Sequence, residues 1–94
     1  MPISKYLKGF SSVQSSSLPT FGGIFLVSCE KNGIHSPIYA GYSENISSGI
    51  NAASKNFNFM DGCNGTLHFQ VLKTTDIQKA DRLVQELSRD CKYK

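Results

Sequence analysis

A chain of 94 residues with 39% hydrophobic side chains carries enough apolar material for one modest core and too little for two, so a single compact domain is expected. Ten basic residues against seven acidic give a net charge of +3, which permits weak attraction to nucleic acid but is common in ordinary soluble proteins, so charge alone selects no partner. No stretch reaches the roughly 18 apolar residues of a membrane helix, and residues 1–10 place no apolar run behind Lys5 and Lys8, so neither membrane insertion nor export is expected.

Cys29, Cys63 and Cys91 are odd in number, widely spaced and lack a CxxC pair. That pattern predicts neither a disulfide framework nor a zinc ribbon, and a reducing cytoplasm is the simplest setting.

Residues 1–20 read as a leader, because Ser11, Ser12, Ser15, Ser16 and Ser17 dominate a stretch of low hydrophobicity before Pro19. The domain is then expected over 21–94. Residues 23–29 are rich in β-formers and run into Glu30-Lys31-Asn32-Gly33, where Asn-Gly signals a turn. A second short strand follows Pro37 in Ile38-Tyr39-Ala40-Gly41-Tyr42, with Ile34, His35 and Ser36 assigned to the connecting loop of a hairpin.

Ser43 or Asn45 can cap the next helix, in which Ile46, Ile50 and Ala53 recur at helical spacing. Gly49 inside it costs about 1 kcal/mol relative to alanine. Beyond Phe57, Phe59 and Met60, the run Asp61-Gly62-Cys63-Asn64-Gly65 carries turn chemistry, and residues 66–72 alternate apolar and polar as a half-buried strand does. Thr75 with Gln78 has the form of a capping box, after which Ile77, Ala80, Leu83, Val84 and Leu87 make the apolar stripe of an amphipathic helix reaching to about Asp90. The expected fold is α+β: a small three-stranded antiparallel sheet flanked by helices, in the order strand, strand, helix, strand, helix.

Gly23-Ile24-Phe25 and Tyr39-Ala40-Gly41, one on each strand of the hairpin with a helix following the second, resemble the two name-giving tripeptides of the GIY-YIG nuclease domain, over roughly residues 22–92. The turn and helix start Tyr42-Ser43-Glu44-Asn45-Ile46 fit that family's pattern, as do Ala80 and Leu87 in the last helix. The resemblance implies that the family's arginine, ten positions after the strand tyrosine, falls on Gly49, a following histidine or tyrosine on Ala53, and the metal-binding glutamate on Val84. The first tyrosine is Phe25, and Tyr39 alone keeps its identity. The interval between the tripeptides exceeds the family's usual spacing, which a longer hairpin loop would absorb.

Glycine has no donor to replace a guanidinium, valine no oxygen for Mg²⁺, and phenylalanine no hydroxyl. Phe25, Tyr39, Gly49, Ala53 and Val84 are therefore expected to be a vestigial site with no catalytic residue. The implied function is a non-catalytic GIY-YIG-like module that binds a macromolecule, either DNA or RNA or a protein, without a cofactor. Two alternatives stand beside it. One is an active endonuclease with relocated ligands, for which Asp81 is the nearby carboxylate; the other is an unrelated small protein-interaction domain.

Lys55, Arg82 and Arg89 are the expected contacts if the partner is a nucleic acid, with Lys79, Lys92 and Lys94 as further cations. Asp81, Glu86 and Asp90 interleave with them as they would on a solvated mixed face. Cys29, Cys63, His35 and His68 show no paired spacing, and no metal is assigned to them. Phe57, Phe59 and Met60 can serve either as core or as a partner surface.

Overall fold

The computed structural model describes residues 9–93. Strands β1 (Ser11–Val13), β2 (Gly23–Lys31) and β3 (Ile34–Ser43) precede helix α1 (Ile46–Asn56), and β4 (Thr66–Lys73) precedes helix α2 (Ile77–Ser88). The strands form one antiparallel sheet in the order β1-β4-β2-β3. The sheet has four strands, where three were expected.

The additional strand, β1, comes from the serine-rich stretch read as a leader. It pairs with β4 in the register Ser11↔Val71, Ser12↔Gln70 and Val13↔Phe69. No alternation betrays it, because a three-residue edge strand is held by its ladder hydrogen bonds more than by an apolar face. The rest of the stretch is also structural. The carbonyls of Pro19 and Phe21 accept from the backbone N–H groups of Ser47 and Ile46 at 2.9 and 3.1 Å, satisfying donors that the first turn of α1 leaves open. Leu18 and Phe21 pack against the core beneath that helix.

The hairpin is tighter than expected. Ladder pairing between β2 and β3 continues to Lys31↔Ile34, and Asn32 (φ 55°) and Gly33 (φ 79°) make a two-residue turn with both residues left-handed. Ile34, His35 and Ser36 therefore belong to β3. The ladder also contains a bulge: Val27 faces Tyr39 while Ser28 faces Pro37, so Ile38 is the inserted residue.

Alternation along β2 divides the core into two layers. Phe25 and Val27 face α1 and pack with Ile46, Ile50, Ala53, Phe69 and Val71, whereas Ile24 and Leu26 face α2 and pack with Ala40, Ala80 and Leu87. Ile24, Leu26, Ile46 and Leu87 are fully buried, and each contributes on the order of 1.5–3 kcal/mol relative to an exposed position. The stripe expected on α2 holds for Ala80, Leu83, Val84 and Leu87, but Ile77, at the first turn, is 64% exposed.

Asn45 caps α1 by accepting from the Ser48 N–H at 3.1 Å, and Ser43 Oγ braces the cap through the Asn45 backbone. The capping box expected at Thr75 does not form. Asp76 is the N-cap of α2 and accepts from the Lys79 N–H at 3.0 Å, while Thr74 Oγ1 accepts from the Asp76 N–H. Asp76→Ala is accordingly expected to lower stability by about 1 kcal/mol and Thr75→Ala to leave it near zero, by denaturant midpoint.

Cys29 and Cys63 form a disulfide, with sulfurs 2.02 Å apart, contrary to the sequence expectation. Cysteine spacing carried no sign of it because the bond joins the end of β2 to the irregular connection between α1 and β4. It also removes the premise from which a reducing cytoplasm was inferred. Cys91 keeps its thiol and is buried. Among the described residues no helix is long and apolar enough to cross a membrane.

Candidate functional site

The α1 layer gathers the positions at which the resemblance places a tyrosine pair and an arginine. Phe25 and Tyr39 sit on adjacent strands with ring centroids 5.9 Å apart, and Tyr39 further stacks on Phe57 at 5.1 Å and Phe59 at 6.1 Å. Phe57 in turn meets Tyr93 at 4.9 Å, and the Tyr93 hydroxyl donates to the Asn58 carbonyl. Phe59 is buried and Phe57 half-buried, so this aromatic group is mainly core; Met60 beside it is exposed.

Gly49 is pressed against this wall. A Cβ at that position would lie 2.5 Å from the Ser43 Cβ and 3.2 Å from the Phe25 ring, so the helix approaches β3 closely only because the side chain is absent. Gly41 shows the same crowding, with its virtual Cβ 2.9 Å from Phe25 Cζ. Ala53 is buried in the same layer.

Val84 is elsewhere. It packs with Leu83, Tyr42 and Leu72 against the Ile24, Leu26, Ala40 layer, on the opposite face of the sheet from Phe25, Gly49 and Ala53. Asp81, the candidate for a relocated ligand, is exposed on α2 and accepts a hydrogen bond from Gln85 Nε2 at 3.1 Å. Among the described residues, no three of histidine, cysteine, aspartate and glutamate converge on one point.

The cations divide in the same way. Lys55 lies in the last turn of α1, whereas Arg82 lies on α2 and Arg89 is its C-cap, so they belong to opposite layers and do not form one stripe. On α2 itself, Lys79, Arg82, Glu86 and Arg89 recur at three and four positions along one exposed ridge. Lys79, Arg82, Leu83 and Glu86 line a shallow cleft of about 290 Å³ there, and Arg89 pairs with Glu86 at 3.3 Å. Lys92 is drawn away toward Asp61, 3.5 Å from its carboxylate. Lys94, Lys5 and Lys8 lie outside the described residues.

A polar group that sequence spacing did not assemble occupies the far end of the α2-side sheet face. His35 on β3 and His68 on β4 lean toward each other across β2, with ring centroids 4.6 Å apart. Ser12 Oγ lies 3.1 Å from His68 Nε2, and Glu30 faces His35 in the ladder. Only the strand order β4-β2-β3 brings these residues together; the signal in the sequence was limited to polar alternation on β4. A cleft of about 480 Å³ opens beside them, lined by residues of β1 and β4 that include Ser12, Thr66 and His68.

Burial, followed by the neighbouring His35, lowers the pKa of His68 below its usual 6.5, against a smaller opposing effect of Glu30. The unfolded chain therefore binds a proton more readily than the folded one. Stability from this group is complete above about pH 6.5 and is lost as pH falls below that value through the lower pKa of the folded state. In denaturant titrations between neutral and mildly acidic pH, His68→Gln is expected to flatten the decline; an equally steep decline in the variant would refute the assignment.

No family model, curated protein or solved structure matches this chain.

Proposed function

We propose that this protein is a non-catalytic, GIY-YIG-like binding module that contacts a nucleic-acid backbone through the outer ridge of α2. The observation that supports the non-catalytic reading is the packing around Gly49: the space an arginine would need is taken by Ser43 and the Phe25 ring. Tyr39 is likewise engaged by aromatic neighbours, and Val84 belongs to the other layer. Phosphodiester cleavage needs a cation on the phosphate and a carboxylate-held ion aimed at one bond, and these positions supply neither.

The binding reading rests on the ridge. Lys79, Arg82 and Arg89 present cations along one helix face beside the Leu83 surface, in a chain of net charge +3. Phosphate contacts of this kind are electrostatic and indifferent to base identity, so affinity falls with salt. In fluorescence anisotropy with duplex DNA and single-stranded RNA, replacing Lys79, Arg82 and Arg89 together by alanine should abolish binding at moderate salt. Each single change should flatten the logarithmic salt dependence by roughly 0.7–0.9.

Plasmid incubated with the protein and Mg²⁺ or Mn²⁺ should stay supercoiled. Metal-dependent nicking that disappears in Asp81→Ala would overturn the non-catalytic reading. Absence of binding to either nucleic acid would move the partner to a protein.

A further inference from the structure

We propose that His35 and His68 form a binding site for a borderline divalent transition ion, of which Zn²⁺ is the natural probe, on the face of the sheet opposite α1. This site is independent of the nucleic-acid reading and of every position in the GIY-YIG resemblance.

The chain has two histidines in all, and the fold brings both to one point from strands that are not adjacent. With centroids 4.6 Å apart, the rings are within the spacing that two imidazoles adopt on a common ion, since nitrogen-to-zinc distances are about 2.0–2.1 Å. Ser12 Oγ, hydrogen-bonded to His68 Nε2 at 3.1 Å, helps to orient that ring. Glu30, cross-strand from His35, supplies a negative charge on the same face. An open site of this kind, two imidazoles completed by water, suits Zn²⁺, Ni²⁺ or Cu²⁺ and not the oxygen-loving Mg²⁺ or Ca²⁺.

Ser28 lies directly opposite His68 in the β2–β4 register and shares its face, and it is 2% exposed. Its hydroxyl has no hydrogen-bond partner among the described residues. A buried hydroxyl left unpaired costs about 1–3 kcal/mol, and this one lies out of reach of solvent beneath the histidine-bearing face. Sequence spacing could not show the site, because metal motifs read from sequence depend on ligands close together in one segment, and here three strands contribute.

The test is calorimetric titration of Zn²⁺ into the tag-free, oxidised full chain, in which the Cys29–Cys63 bond keeps both sulfurs from competing. One ion per chain is expected, with an upward shift of the denaturation midpoint. His35→Ala and His68→Ala should each weaken binding by at least about tenfold, the lower end of what loss of even an outer-shell partner costs. Both rings are exposed or half-buried, so these variants should fold, and circular dichroism with the metal-free midpoint checks that they do. No saturable binding by the native chain, or unchanged binding in the folded His35→Ala/His68→Ala double variant, overturns the site.

Discussion

Reducing the Cys29–Cys63 bond is expected to lower the unfolding free energy by about 4 kcal/mol, the loop-entropy value for a sequence separation of 34. Against a typical total of about 5–15 kcal/mol, that loss is enough to leave the domain marginal. The bond ties the irregular connection between α1 and β4 to the end of β2. Lys92 with Asp61 and the Tyr93 hydroxyl with Asn58 hold the same connection from the other side, but these contacts are exposed and weak. Phe57 and Phe59 anchor the start of the connection in the core, and the cross-link restrains the part that follows them. Guanidinium unfolding with and without reductant measures the effect, and Cys29→Ser should reproduce it. The unfolded, unreduced chain should show one titratable thiol, Cys91, and three after reduction. An unchanged midpoint on reduction, or three reactive thiols before it, would contradict the pairing.

Restoring the arginine that the resemblance calls for, as Gly49→Arg, should destabilise the protein and give no nuclease. Removing a helix-interior glycine gains about 1 kcal/mol in propensity. Here the gain is outweighed, because the first atom of any side chain meets the Ser43 Cβ at 2.5 Å, and Ser43 also braces the cap of α1. Displacement of packed atoms on this scale costs typically 1–3 kcal/mol, so a net loss of up to about 2 kcal/mol is expected. Gly49→Ala isolates the clash from the charge and should also lose stability. Adding Val84→Glu should not create activity, since that side chain belongs to the layer on the opposite face of the sheet. Plasmid nicking by the Gly49→Arg/Val84→Glu variant in Mg²⁺ would show that the two positions cooperate after all.

Elements whose signal is local were legible in the amino-acid order. The Asn32-Gly33 turn, Asn45 as a cap, the Ile46, Ile50, Ala53 stripe and the alternation of β4 each follow from short-range sterics or periodicity, and the structure has all of them. The α+β class follows from the same patterns. What misled was also local: Thr75 with Gln78 has the form of a capping box, but Asp76 one position later offers its carboxylate to the Lys79 N–H. The length of the hairpin was hidden because His35 and Ser36 have no apolar alternation, while ladder bonds need none.

By itself the sequence determined the α+β class, the two helices and their apolar stripes. Tertiary structure alone decided that β1 joins the sheet, that Cys29 meets Cys63, that Val84 and Tyr39 belong to opposite layers, and that His35 and His68 touch across β2. The division has a physical cause. Periodicity and capping act over a few residues, whereas strand order and layer assignment are set by which apolar surfaces find each other across the whole chain.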